Sequence, residues 1–283
     1  VSGYERRDAP GAKLHTLSAR RVLRREPRGS SSPIIVDTEQ GPYLVKLRGA
    51  AQGPAALVAE IIVGALADRL GLAVPSRAIL QLAPETPTDD RNDELADLLA
   101  RSTGDNLGFQ YLEPARTFTP ADLADVSADW ASQVRWLDWL VLNPDRTARN
   151  PNILVVRSGY WLIDHGAALP FQHDWAAVTE HSPERPEPAG PHLFAEVASR
   201  VPGWDPILTS MLPREALIAA VDAVPASLLA PLIDPAATTA RLTRRRAAYV
   251  AFLWKRLQRR HHFHGVAAPA VDSPGTEAHH DLP

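Results

Sequence analysis

The sequence predicts an α+β protein of two lobes: a small β-rich lobe over residues 1–112 and a mainly helical lobe over residues 113–264. Three observations lead there. Residues 17–48 alternate short runs of β-branched and aromatic side chains with Gly, Pro and Ser turns, the pattern of a strand meander. After residue 119 the apolar side chains fall instead at three- and four-residue spacing, which is helical. At 283 residues the chain is long enough for one large domain or for two lobes sharing a cleft, and the second is the reading adopted.

Taken in order, strands are expected at 22–24, 34–36 and 43–47, separated by turns at 27–32 and 39–42. A helix follows at 54–70, where Leu57, Ile61, Gly64, Ala65 and Leu66 share a spacing that stops at Gly71. Pro75 introduces a strand at 74–82. A polar loop at 86–93, a short helix at 94–101 and a strand at 107–112 lead to Glu113-Pro114, where the lobe boundary is placed. Thr119 is a good N-cap with Pro120 behind it, so a helix is expected to run to residue 142. A loop and two strands come next. Residues 174–191 carry Pro183, Pro186, Pro188 and Pro191 and read as an irregular surface segment. Helices are expected at 192–201, 213–223, 225–232 and 235–260. The last is amphipathic, with Leu242, Tyr249, Phe252, Leu253 and Leu257 on one side and Arg244, Arg245, Arg246, Arg256 and Arg259 elsewhere. Residues 265–283 are short of large apolar side chains and are expected to form a disordered tail. No internal repeat is present.

Composition excludes several classes of function. A formal net charge of -3 gives no global footprint for nucleic acid or anionic lipid, so neither partner is expected. With no Cys there is no disulfide, no thiolate catalysis and no Cys-ligated metal. Residues 1–13 are polar and lack the apolar core of a signal peptide, and the longest apolar stretch, 61–67, is far short of the roughly 20 residues that cross a bilayer. A cytoplasmic protein is the expectation. No G-x-G-x-x-G, Walker A or G-x-S-x-G pattern occurs, which removes the main support for Rossmann, P-loop and α/β-hydrolase readings.

The most informative segment is Asn143-Pro144-Asp145-Arg146-Thr147-Ala148-Arg149-Asn150-Pro151-Asn152, followed by an apolar strand and then by Ile163-Asp164-His165-Gly166. Three of the chain's five Asn fall in those ten residues, so composition alone explains the segment poorly. An acid on a Pro-containing loop, an amide five to seven residues later and a second acid after the next strand converge on one point. Phosphoryl transfer needs that arrangement: Asp145 orients and deprotonates the attacking hydroxyl, while Asp164 and an Asn amide oxygen offer hard ligands to Mg²⁺. Asn150 and Asn152 are both candidates for the amide. Lys46 is one of three Lys against 27 Arg, so it too invites a chemical reason. Glu60 lies in the middle of the apolar helix that follows, placed to hold the ammonium toward phosphate oxygens. Gly29, Ser30, Ser31 and Ser32 form a hairpin turn that could cover a nucleotide with N–H and hydroxyl donors, and Glu113 at the lobe junction is a further nucleotide-site candidate.

Other conspicuous residues have plainer readings. The clusters His261-His262-Phe263-His264 and His279-His280 end an Arg-rich helix and the tail, and are not read as a metal site. Trp130, Trp136 and Trp139 on one helix are read as core, and the run from Arg241 to Arg246 as a solvated face.

Four stretches carry a resemblance: Tyr43-Leu44-Val45-Lys46-Leu47-Arg48-Gly49; Gln52-Gly53-Pro54 with the helix of Glu60; the loop from Asn143 to Asn152; and Trp161-Leu162-Ile163-Asp164-His165-Gly166-Ala167-Ala168-Leu169. Together they resemble the HipA-like kinases, related at fold level to the phosphatidylinositol and protein kinases, over about residues 18–175. The resemblance implies a protein-kinase-like bilobal fold with ATP in the cleft and Mg²⁺-dependent transfer to Ser or Thr of a protein. It implies Lys46 on the nucleotide phosphates, Glu60 holding Lys46, Asp145 as the acid-base residue, and Asp164 with Asn150 or Asn152 on metal. One departure stands out: His165-Gly166 follows the metal Asp where protein kinases have Phe-Gly. Two rival readings are a small-molecule phosphotransferase of the aminoglycoside type and a nucleotide-binding pseudokinase scaffold. The lack of His two residues before Asp145 counts against the first, and intact Lys46, Glu60, Asp145 and Asp164 against the second.

Overall fold

A computed structural model describes residues 14–26, 32–157, 159–186, 190–234 and 236–260. The expectations for Gly29, Ser30 and Ser31, for the His clusters at 261–264 and 279–280 and for the tail at 265–283 concern residues outside that set.

Strands β1 (Thr16–Ser18), β2 (Arg21–Arg25), β3 (Ile34–Thr38), β4 (Gly41–Lys46), β5 (Arg77–Leu82) and β6 (Gly104–Gln110) form one sheet in the order β1-β5-β6-β4-β3-β2. The β1–β5 pair is parallel and the others antiparallel. Ile34, Ile35 and Val36 of β3 are all buried, so this strand is covered on both faces. Lys46 ends β4 opposite Leu107 of β6. After a turn at Gly53, whose φ of +62° favours glycine, helix α1 (Gly53–Arg69) runs back along the sheet. A short helix, α2 (Asp93–Arg101), capped by the Asn92 side chain, precedes β6.

The helical half contains α3 (Ala128–Leu140), α4 (Val201–Met211), α5 (Arg214–Asp222), α6 (Ala226–Leu229) and α7 (Thr239–Gln258). Strand β7 (Arg116–Thr117), which precedes α3, and strands β8 (Ile153–Val156) and β9 (Gly159–Leu162), which lie between α3 and α4, make a second, antiparallel sheet in that spatial order. Among the described residues no single helix is long and apolar enough to cross a membrane.

Helix α1 is buried from Ala55 to Ala67 on every side. Its sheet-facing side meets Ile79 and Leu107, and its other side meets α5 and α6 from the far end of the chain. One hydrophobic core therefore runs from Leu57 through Trp136 and Leu140 to Leu253 and Leu257, while a smaller cluster lies between the sheet and α2. The consequence for the site is mechanical. Glu60 sits in a helix clamped from both sides, so its position is set by the main core.

Several elements depart from the sequence expectation. The helix expected from 119 to 142 is divided: Thr119 and Asp122 form a capping box on a 3-10 turn, Val126 is extended, and the Ser127 hydroxyl then caps α3 by accepting the Trp130 N–H at 3.2 Å. The helix expected at 192–201 is absent, and α4 begins at Val201. Pro202 sits in its first turn, where no N–H bond is required, and Pro206 follows one turn later, so two prolines hid a real helix. Strands β1 and β7 are too short for periodicity to reveal. Trp136 and Trp139 are buried, and Trp130 packs on Tyr160 and Phe194. Arg256, set by the sequence pattern away from the apolar side of this helix, is completely buried. It donates to the Trp139 and Leu140 carbonyls at the end of α3 and to those of Pro183 and Arg185. Burial lowers its guanidinium to about 9, and the carbonyl end of α3 is the negative partner that keeps it there.

Gly108 gives a stability prediction. A Cβ there would lie 2.1 Å from Leu80 Cδ2, 2.9 Å from its Cγ and 3.1 Å from the Tyr43 ring. Leu80 and Tyr43 are buried and have no room to retreat. Gly108→Ala should therefore destabilise the fold by about 1–3 kcal/mol, the usual cost of overpacking, seen as a lower denaturation midpoint at unchanged slope. An unchanged midpoint would contradict this packing.

Candidate active site

Three elements deliver the charged groups: β4 carries Lys46, α1 carries Glu60, and the segment after β9 carries Asp164. Lys46 Nζ donates to Glu60 Oε1 and, at 2.5 Å, to Asp164 Oδ1. Glu60 is fully buried; its second oxygen, Oε2, lies 3.3 Å from Nδ1 of the buried His165. Burial by itself would push the Glu60 carboxyl up. The Lys46 ammonium and then His165 outweigh it and hold the carboxyl well below the usual carboxylate range. Burial likewise pulls the Lys46 ammonium down, but Glu60 and Asp164 reverse the effect and raise it above its ordinary value. Both groups are charged, and Lys46 also lies 5.9 Å from the Phe109 ring centroid.

The β8–β9 hairpin explains why distant residues meet. Ile153 pairs with Leu162, so Asn152, just before β8, and Asp164, just after β9, emerge at the same end. The Ile163 N–H donates to the Asn152 carbonyl at 3.0 Å. Asn152 Nδ2 donates to Asp145 Oδ2 at 3.1 Å and contacts the Asp164 carbonyl at 3.4 Å. Asn150 Nδ2 also donates to Asp145 Oδ2, at 2.8 Å. Among the described residues, Asn152 is the one whose amide bridges the two acids. Asn152 and Asp164 have φ of 52° and 56°, in the left-handed region that non-glycine residues enter at a cost and that clusters at functional sites.

The loop is held from beneath by side chains that the sequence did not single out. Asn143 Oδ1 accepts the Asp145 N–H at 3.1 Å while its Nδ2 donates to Asp138 of α3 at 2.8 Å. The buried Arg146 guanidinium pairs with Asp138 at 2.5 Å and donates to the Pro151 and Asn152 carbonyls at 3.2 and 2.8 Å. His192 accepts the Phe194 N–H on Nδ1, so its protonated Nε2 faces Asp138 at 3.0 Å. Burial would raise Asp138, but Arg146 and His192 hold its carboxyl well below the usual range. One signal was available: Asp138 is a lone charge in the apolar run Trp136-Leu137-Asp138-Trp139-Leu140.

A cleft of about 750 Å³ opens beside these groups. Leu44 of β4, Phe109 of β6 and Pro33 just before β3 line it, with Leu154 of β8, Ile163 just after β9, the charged pair Lys46 and Asp164, and the connecting segment from Gln110 to Thr117. Glu113 is part of that segment. Ser32, the one described member of the expected nucleotide-covering turn, has φ 45° and is not on the lining, whereas Pro33 and Glu26 are. Tyr111 in the segment is fixed by Arg24, which donates to its hydroxyl at 3.0 Å and lies 5.4 Å from its ring centroid.

The donor set suits a hard divalent ion. Among the described residues no three His, Cys, Asp or Glu side chains gather as for a structural metal. What the site offers is the Asp164 carboxylate, its side chain 38% exposed, and the Asn152 amide oxygen, which accepts no hydrogen bond from the described residues. One carboxylate and one amide leave room for waters and phosphate oxygens, the requirement of magnesium.

Fold and site together define a kinase-like protein. The crystal structure of a Helicobacter pylori proinflammatory kinase, CtkA, superimposes with a TM-score of 0.50 at 10% identity, covering 88% of this chain and 94% of that one. At that identity the likeness is one of fold. The family is shown by sequence: the profile of the HipA-like kinases matches residues 19–188, and the chain belongs to that family. No match was found among curated proteins.

Proposed function

We propose that the protein transfers the γ-phosphoryl group of ATP, with Mg²⁺, to a hydroxyl group, that of a Ser or Thr in a protein. The observation that carries the reading is the chain of contacts Glu60–Lys46–Asp164, continued through Asn152 to Asp145, at one end of a cleft large enough for a nucleotide. Family membership supports the phosphoryl chemistry.

Each side chain then has a role. Lys46, held by Glu60, places one positive charge against the nucleotide phosphates. Asp164 and Asn152 would hold magnesium, which supplies charge neutralisation on the phosphate oxygens. Asp145, with Oδ2 pinned by two Asn amides, presents Oδ1 to the acceptor hydroxyl and takes its proton as the oxygen–phosphorus bond forms and ADP leaves. Asn150 orients Asp145. Glu113 and the backbone around it face the nucleoside end of the cleft.

Thermal unfolding with nucleotide tests the reading. ATP with Mg²⁺ at 100 times its dissociation constant should stabilise the fold by about 2.7 kcal/mol, and Asp164→Asn should remove the magnesium-dependent part. An identical shift in EDTA would remove the metal from the account; no shift at all would remove the nucleotide.

A further inference from the structure

The residue after Asp164 has no part in the chemistry just described, yet it is buried against the pair that has. His165 is 2% exposed. Its Nε2 has no partner among the described residues, so that nitrogen does not explain why a polar ring lies there. Its Nδ1 lies 3.3 Å from Glu60 Oε2, the carboxylate oxygen that Lys46 does not use. Glu60 is ionised and can only accept, so the proton is on Nδ1 and the ring is the donor. The next residue, Gly166, lies so close to α1 that a Cβ on it would be 3.2 Å from Ala56 Cβ, one helical turn before Glu60. The segment from Asp164 to Gly166 thus touches α1 at two successive turns while Asp164 itself grips Lys46.

We propose that His165 is a positioning residue: its Nδ1–H···Oε2 bond fixes the Glu60 carboxylate and closes a ring of contacts, Lys46–Glu60–His165–Asp164, that ties the phosphate-binding ammonium to the metal-binding carboxylate. The proposal rests on the phosphoryl-transfer reading for its consequence and on geometry for its existence. Two buried carboxylate oxygens need two donors, and a single ammonium supplies only one side. With both donors present, Glu60 cannot rotate away from Lys46. A Phe, as in protein kinases, would fill the space and donate nothing. The His therefore adds a polar tether where those enzymes have an apolar contact.

Two substitutions separate positioning from packing. Asn places its amide nitrogen where His places Nδ1 and keeps the donor; Leu keeps comparable bulk and loses it. His165→Leu should lower kcat about 10- to 100-fold, the usual cost of removing a partner that orients a liganding group, and His165→Asn should restore it to within about 3-fold of the original. The second readout does not require turnover. The chain has three lysines, so an amine-reactive reagent followed by peptide mapping reports Lys46 separately from Lys255. Lys46 should react several-fold faster in His165→Leu and at the original rate in His165→Asn, with Lys255 unchanged as the internal reference. Unaltered Lys46 reactivity in His165→Leu overturns the proposal even in an inactive protein, and so does an Asn variant that behaves like Leu in either readout. If His165→Leu fails to fold, with Lys255 also more reactive, the Asn variant alone decides by the same criterion. A wild-type protein without transfer activity but with the expected labelling pattern would refute the phosphoryl-transfer reading and leave the tether standing.

Discussion

Asp145→Ala should abolish measurable transfer, a loss of about 10²–10⁴-fold in kcat, while MgATP affinity stays within a few-fold of the original. The asymmetry follows from where Asp145 lies. It is absent from the lining of the cleft and reaches Asp164 only through the Asn152 amide, so the nucleotide has no direct use for it. Its Oδ2 is occupied by the Asn150 and Asn152 amides, and Oδ1 is the atom left for an acceptor. On the proposed roles, removing the carboxylate deletes the proton acceptor but leaves Lys46, Glu60 and Asp164 in contact. Unchanged turnover in the variant would show that Asp145 only shapes the loop. A parallel collapse of MgATP binding would place it on the metal instead.

Lys46→Ala should reduce turnover by about 10²-fold or more, because one preorganised charge at the phosphates is lost. It should also destabilise the protein by roughly 3–5 kcal/mol, since Glu60 remains buried with its ammonium partner gone. Activity must therefore be measured at a temperature where circular dichroism shows the variant folded. A double-mutant cycle with Glu60→Gln separates the two effects. Glu60 is not on the cleft lining and reaches it through its ion pair with Lys46, so on Lys46→Ala the second change should add almost nothing to the loss of rate. Additive losses would mean that Glu60 acts on turnover by another route. A negligible effect of Lys46→Ala would make the buried pair purely structural.

Much of this site could be read before the structure because its parts are local. A Lys at the end of a strand, a Glu inside an apolar helix, and a loop–hairpin–acid sequence each announce themselves by contrast with their neighbours. The hairpin then brings Asn152 and Asp164 together by strand pairing alone. What could not be read is tertiary. That Asn150 serves Asp145 while Asn152 serves both acids depends on a left-handed turn at Asn152, and spacing does not encode it. Arg256 looks like its arginine neighbours on α7, but its role is decided by carbonyls from α3 and from residues 183–185. His165 is marked by the sequence only as a departure; its meaning comes from the face of α1 that the core presses against it. The clamping of α1 by α5 and α6 joins residues more than 140 positions apart and leaves no periodic trace, because a helix buried on all sides has no polar face to contrast with.

The central claim is that the contacts from Glu60 to Asp145 act as one phosphoryl-transfer site. Its most direct test is incubation of the protein and a native cell extract with ATP labelled at either the γ- or the α-phosphate, followed by phosphoamino-acid analysis. Label should appear on Ser or Thr from γ-labelled ATP only, dependent on Mg²⁺ and absent with Asp145→Ala. Label arriving from the α position, or γ-label transferred equally by Asp145→Ala, would contradict it.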